Sequence, residues 1–486
     1  MYPLNRPASV SVARARALVL AMASAGLLSP ALANPTLADM QRQLDELRTQ
    51  YDARIQALEA QLRAAQQNAR AVQSTPIEPQ AAATETAAET PSGLTQPGTF
   101  ARQNRQPSDT GFNPQVSLIL SGLYTNLQRD PGTWSIGGFQ PGGEEVGPGD
   151  RGFSLAESEL VLSANIDPWF YGKATLAVTG DSEIEVEEAF VQTRALPAGT
   201  SVKAGRFYSG LGYLNAQHPH TWDFVDAPLV YQAMFGGQFK QDGVQGRWVL
   251  PTDQFVQLGL ELGRGNGFPG TDRNRNAAGA LTLTAHTGGD VGVSHSWRAG
   301  ASWLQTSAQG REWADTNLAG DEVRNTFTGK SRIWALDGVW KWAPNGNATR
   351  TNFKLQGEYF RRTETGSATY DLDNVTENGS PAAAYRSAQS GWYVQGVYQF
   401  MPRWRVGLRH EQLDSGKVNY GSNGAFLSNP DHQPKRTSAM LDWSLSEFSR
   451  WRLQYNHDQV RLGGLKDNQI YLQYIMSLGA HGAHSF

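Results

Sequence analysis

The chain has no cysteine among its 486 residues, which excludes disulfides and thiolate metal centres while leaving the compartment open. After the N-terminus it also lacks any run of 18 or more apolar residues, so the mature chain is expected to carry no transmembrane helix. Charge of one sign is scarce: 42 Lys and Arg against 45 Asp and Glu leave a net charge of −3, which gives no signal for a nucleic-acid partner. Ordinary core composition is missing as well. The hydrophobic fraction is 39% and mean hydropathy is −0.47, yet 14 Trp and 51 Gly are present. Half-apolar strands with aromatic girdles produce such a mixture, and so would an array of soluble β-sandwiches. Composition alone does not separate the two.

Residues 1–33 have the three parts of a secretory signal. Arg6, Arg14 and Arg16 supply positive charge, Ala17 to Leu28 a short apolar core, and Ala31-Leu32-Ala33 a cleavage site before Asn34. Residues 34–70 follow with Leu37, Met40, Leu44, Leu47 and Tyr51 spaced 3-4-3-4, then Ile55, Leu58, Leu62 and Ala65 after a four-residue stutter. This is a heptad seam, the mark of an α-helical coiled coil about 43 Å long if straight; a lone amphipathic helix on a surface is the alternative. Residues 71–110, rich in Ala, Thr, Pro, Gln and Ser, read as a disordered linker.

From residue 111 to 486 the pattern changes to period two. Sixteen alternating segments begin near residues 115, 153, 169, 183, 200, 239, 254, 278, 291, 330, 351, 388, 403, 435, 450 and 467. Connectors after even segments are short and built of turn residues, among them Asp167-Pro168, Pro251-Thr252-Asp253, Gly288-Gly289-Asp290 and Met401-Pro402. Those after odd segments are long, at about 129–151, 209–238, 265–277, 307–329, 363–387 and 414–434. The expected fold is all-β: a transmembrane antiparallel up-and-down β-barrel of about 16 strands, embedded in the lipids of a bacterial outer membrane. Both barrel ends, and the coiled coil, then fall on the short-turn, periplasmic side.

Splitting the two parities assigns the faces. Trp334, Leu336, Trp340 and Trp342 share one face, as do Phe353, Leu355 and Tyr359, then Trp404, Val406 and Leu408, and Trp451, Leu453 and Tyr455. In the last segment Leu472, Tyr474, Met476 and Leu478 lead in register to Phe486, which resembles the C-terminal signal read by the barrel-assembly machinery. One segment breaks the rule. Ile184, Val186 and Phe190 would place Glu188 in lipid, and a bulge at Glu187-Glu188 would return the acid to the interior.

The other parity is expected to line a water-filled lumen with opposed walls. The acidic wall takes Glu157, Glu159, Glu183, Glu185 and Glu187; the basic wall takes Arg298, Lys354, Arg403, Arg405, Arg409, Arg450 and Arg452. Such walls would orient dipolar solutes and filter ions, whereas pairing between them would fill the lumen, as happens in small barrels.

The run Glu188-Ala189-Phe190 through Ala204-Gly205-Arg206-Phe207 and Gly210-Leu211-Gly212 resembles the phosphate-selective porin group, and the coiled coil ahead of a barrel resembles sugar-specific porins. The resemblance covers roughly residues 111–486. It implies a homotrimeric channel for passive diffusion of small hydrophilic solutes or ions, with connector 209–238 folded inward as a constriction carrying Asp223 and Asp226. That connector has acids and histidines in place of a dense lysine or arginine row, a departure from phosphate selectivity. The chain also resembles barrels labelled zinc-regulated TonB-dependent receptors, which implies the alternative of a receptor or metal-binding barrel linked to zinc uptake. Residues 71–110 cannot form the plug such a receptor needs.

His218 and His220, with Asp223 and Asp226, are candidate zinc ligands, since imidazole and carboxylate suit that ion; otherwise no cofactor is expected. An enzyme is not expected: Gly-x-Ser-x-Gly and His-Glu-x-x-His are absent, and the neighbours in Ser294-His295 and His457-Asp458 point to opposite faces of a strand. The coiled coil either holds the trimer or engages another partner such as peptidoglycan.

Overall fold

The computed structural model describes residues 114–140, 142, 146–178, 180, 183–428 and 431–479. The expectations for the signal peptide, the coiled coil, the linker and Phe486 lie outside these residues.

Sixteen strands form one closed antiparallel barrel. They are β1 (Gln115–Leu127), β2 in two segments (Gly152–Leu155 and Ser158–Asn165), β3 (Phe170–Val178), β4 (Ile184–Thr193), β5 (Thr200–Tyr208), β6 (Lys240–Val249), β7 (Phe255–Gly263), β8 (Ala280–Val291), β9 (His295–Thr316), β10 (Glu322–Trp342), β11 (Asn352–Thr369), β12 (Ala382–Met401), β13 (Trp404–Asn419), β14 (Lys435–Ser446), β15 (Ser449–Gln459) and β16 (Asp467–Gly479). Each pairs with its sequence neighbours, and β1 closes on β16 with Leu120 opposite Met476 and Tyr124 opposite Leu472. Closure leaves no unpaired edge, which a hydrocarbon environment requires. Where β2 is interrupted, the ladder donor of Ser121 is satisfied by Ser158 Oγ at 3.1 Å.

The lipid face follows from alternation. Trp334 and Leu336 are each 59% exposed and Leu408 is 65% exposed, while their neighbours Ile333, Ala335 and Arg409 are buried inside. The bulge expected in β4 is present: Thr175 opposes Glu188 and Leu176 opposes Val186, so Glu187 is the extra residue. Both acids turn inward and are buried. The same extra residue carries Phe190 inside, against the expectation that it shares the outer face with Ile184 and Val186.

Two groups of boundaries differ from the alternation reading. Gly288-Gly289-Asp290 is ladder, paired with Arg298, Trp297 and Ser296, and the turn sits at residues 292–294. Glycine at these positions removed the side-chain signal without ending the strand. Most of 307–329, and both ends of 363–387, are also strand. There the pattern reverses: Glu322, Arg324 and Thr328 face out, while Val323 and Phe327 are buried with Trp313, Tyr385 and Tyr420. These ends stand beyond the apolar band, where the outer face meets water and the inner face packs. The pairing persists after the lipid-facing signature stops.

Leu408→Arg places a charge on the outer face within the apolar band. It should lower the stability of the barrel folded in phospholipid vesicles by about 2–4 kcal/mol, read by urea titration.

Candidate functional site

The interior is organised by the connector between β5 and β6, residues 209–239. Its base is tied by Asn215, fully buried, whose Nδ2 donates to the carbonyls of Ser209 (2.9 Å) and Phe239 (2.8 Å) and whose Oδ1 accepts from the Phe239 N–H at 2.7 Å. The far part forms helix α1 (Leu229–Phe235), buried along its whole length. It packs among Leu304, Ile333, Phe360, Tyr393 and Leu413 of the wall. The helix ends at Gly236, whose φ of 72° needs a residue without a Cβ. This connector therefore folds inward and fills much of the lumen between β9 and β13.

Three inward carboxylates receive the connector's backbone. Glu261 accepts from Gly210 N–H (2.8 Å), Ser209 Oγ (2.6 Å) and two glutamine amides. Glu358 accepts from the N–H groups of Tyr213 (2.9 Å) and Leu214 (3.1 Å) and from the hydroxyls of Tyr231 and Tyr393. Glu411 accepts from Leu229 N–H while bridging Arg409 and Arg436, each at 2.9 Å. Backbone donors that would be stranded in a protein interior are satisfied in this way.

The charged side chains of the connector meet both walls. Asp223 lies between Lys354 and Arg405 (3.0 Å to the latter), and Arg405 also pairs with Asp442. Asp226 lies between Arg409 (2.6 Å) and Arg436 (2.8 Å). Arg452 pairs with Asp442 at 2.8 Å and donates to the Trp222 carbonyl, and Arg450 donates to the His220 carbonyl. Burial alone would raise the two aspartic acids, but Lys354 and Arg405 hold Asp223 well below the usual carboxylate range. Arg436 and Arg409 hold Asp226 at about 2.

On the opposite side, His218 Nδ1 lies 3.1 Å from both Glu159 and Glu187, and His218 Nε2 lies 3.0 Å from Glu188. His220 Nδ1 lies 2.6 Å from Glu159. Burial by itself lowers the His218 imidazole, but Glu159 and Glu187 raise it well above its ordinary value. Lys173 completes the cluster at 2.7 Å from Glu188. The connector is thus doubly complementary, acid to the basic wall and imidazole to the acidic wall.

This arrangement revises the site in several respects. The two histidines and the two aspartates engage different walls and do not form one ligand set. Arg405, Arg409, Arg450 and Arg452 are directed at the connector, so their charge is largely compensated. Arg403 is not an interior residue: it stands exposed in the β12–β13 turn with φ 72°, donating to the Leu445 carbonyl. Glu183 is exposed ahead of β4, where alternation had not yet begun, and Glu185 is half-buried and pairs with Lys240. Glu157 occupies the interruption in β2 and is half-buried. Sequence reasoning missed Glu261, Glu358, Glu411 and Arg436. All four lie on the inner parity and were available as charged residues alternating with apolar ones.

A cavity lies beside residues 210–216 of the connector, against β6–β10. Its lining includes Gln245, Arg247, Gln257, Glu261, His286, Ser296, Arg298 and Lys341. Arg298 lies 5.1 Å over the Tyr213 ring, and its Nη1 is buried without a hydrogen-bond partner. Arg298 alone of the expected basic wall borders this cavity.

A closed sixteen-strand barrel with an apolar outer band, charged inner walls and an inward connector is a transmembrane β-barrel of the outer-membrane kind. No family model matches the chain. It belongs to one family with an uncharacterized protein of Aquifex aeolicus (strain VF5), 31% identical over 408 residues that cover 78% of this chain and 81% of the relative. Among solved structures it is similar to the outer membrane channel DcaP of Acinetobacter baumannii, with a TM-score of 0.48 and 12% identity over 76% of this chain and 99% of that one. It is likewise similar to an anion-selective porin from Comamonas acidovorans, with a TM-score of 0.47 and 10% identity over 76% and 100%. For OmpT of Vibrio cholerae in its trimer form the TM-score is 0.46, with 13% identity over 76% and 99%.

Asp223→Asn with Asp226→Asn should strip Lys354 of its carboxylate partner and leave Arg405, Arg409 and Arg436 with one carboxylate in place of two. Removing one partner of a buried pair costs about 3–5 kcal/mol. The double variant should unfold at lower temperature and expose the connector to trypsin while wild type stays intact.

Proposed function

We propose that this protein is a passive channel, assembled as a homotrimer, that lets small hydrophilic solutes and ions cross the outer membrane. The observation that carries the reading is the cavity beside residues 210–216, whose lining carries charged, amide, hydroxyl and imidazole groups. The connector narrows the lumen, and its contacts leave Arg247, Arg298 and Lys341 bordering the gap together with amide, hydroxyl and imidazole groups. Glu261, the carboxylate in that lining, has both oxygens engaged by neutral donors. Solutes crossing such a gap exchange hydration for several modest contacts, which permits entry and exit. The heptad seam in residues 34–70 supports the trimer, because a helix with so narrow an apolar stripe gains by self-association.

In planar bilayers the purified protein should give stable ohmic steps, and a non-conducting barrel would overturn the reading. Arg247→Glu with Arg298→Glu should shift the reversal potential under a salt gradient toward cation preference. Crosslinking should yield trimers from the full chain. If trimers persist after residues 34–70 are deleted, the barrel wall holds the assembly and the coiled coil serves a different partner.

A further inference from the structure

We propose that Glu159, Glu187 and His218 form a binding site for one divalent cation of the zinc class, joining the inward connector to the barrel wall. The three residues come from different elements: Glu159 from β2, Glu187 from the bulge of β4, and His218 from the connector. Glu159 Oε2 and Glu187 Oε2 each lie 3.1 Å from His218 Nδ1, and the three atoms lie within 4.8 Å of one another. Ligands at about 2.0–2.2 Å around a tetrahedral zinc ion stand about 3.3 Å apart, close to the 3.1 Å that separates His218 Nδ1 from each carboxylate oxygen. All three residues are buried.

A proton on His218 Nδ1 serves this geometry poorly. It is directed to Glu187, and Glu159 Oε2 is left buried without a hydrogen-bond partner. A cation at the common focus of the three atoms would serve all of them at once.

The remaining atom of each ligand is held from behind. Glu159 Oε1 pairs with His220 Nδ1 at 2.6 Å, and Glu187 Oε1 accepts from the Tyr208 hydroxyl at 2.6 Å. His218 Nε2 lies 3.0 Å from Glu188 Oε2, itself anchored by Lys173 at 2.7 Å. A carboxylate behind a ligating imidazole, and donors behind ligating carboxylates, fix tautomer and orientation in metal sites. The mixed nitrogen and oxygen donors suit zinc; magnesium and calcium favour six or more oxygens. This set differs from the one the His-x-His spacing suggests: His220 acts as a positioning residue, and Asp223 and Asp226 are not ligands.

The test uses the full chain in detergent, stripped with a chelator and dialysed to equilibrium against zinc sulfate, with bound metal quantified per chain. Wild type should hold one zinc. Glu187→Gln should lower the affinity at least tenfold, His220→Gln by about 10–100-fold, and Asp253→Asn, in the exposed β6–β7 turn, should leave it unchanged. X-ray absorption at the zinc edge should show one imidazole nitrogen and oxygen ligands at about 2.0–2.2 Å. No bound zinc, or zinc retained equally by Glu187→Gln, would overturn the site. If Glu187→Gln fails to give a heat-modifiable barrel on gels, the wild-type spectrum decides: an all-oxygen shell counts against the proposal, and a nitrogen-containing one supports it.

Discussion

A charge removed from water must meet an opposite charge or a set of hydrogen-bond donors, and the interior of this barrel is arranged around that requirement. The inner parity of the strands supplies arginines on one side and glutamates on the other. Neither wall could be covered by an apolar connector without leaving ions stranded. Residues 209–239 answer both, with Asp223 and Asp226 toward Arg405, Arg409 and Arg436, and His218 and His220 toward Glu159, Glu187 and Glu188. Helix α1 can then bury its seven residues against the apolar part of the wall, because the polar contacts on either flank fix where it lies. The cavity falls beside residues 210–216, a part of the connector that carries no charged side chain of its own.

The exterior obeys a complementary rule. Apolar side chains face outward only along the part of each strand that meets hydrocarbon. Beyond it, β9 and β10 continue with polar residues outside and aromatic ones inside. One continuous ladder thus passes through two solvents; the same residues keep facing out, but the polarity of the two faces reverses at the boundary between them.

That reversal explains which parts of the fold could be read from the chain. Strand number, order, closure and outer face follow from period-two alternation, and Glu188 revealed the β4 bulge because an acid in lipid demanded a cause. Strand ends near 316, 322, 369 and 382 were hidden, since a helix-free polar stretch looks alike as ladder or as loop. The candidate site was half legible. His218, His220, Asp223 and Asp226 stood out as charged residues in a long connector, but their partners did not. Which wall each residue meets depends on how the connector enters the lumen, a contact between residues far apart in sequence. Glu159 and Glu187 were legible as interior acids, and only the fold brings their free oxygens to one imidazole.

Those separations set an order of assembly. The Asn215 tie at the base of the connector spans 24 residues or fewer, so it can form as soon as β5 and β6 pair. The bonds from Arg450 and Arg452 to the carbonyls of His220 and Trp222 span 230 residues each. Loop-closure entropy places such contacts late. The connector's own tie thus needs only the two strands that flank it, whereas its seat on the arginine wall needs β15 as well, so one strand near the end of the chain serves both the cylinder and its internal filling.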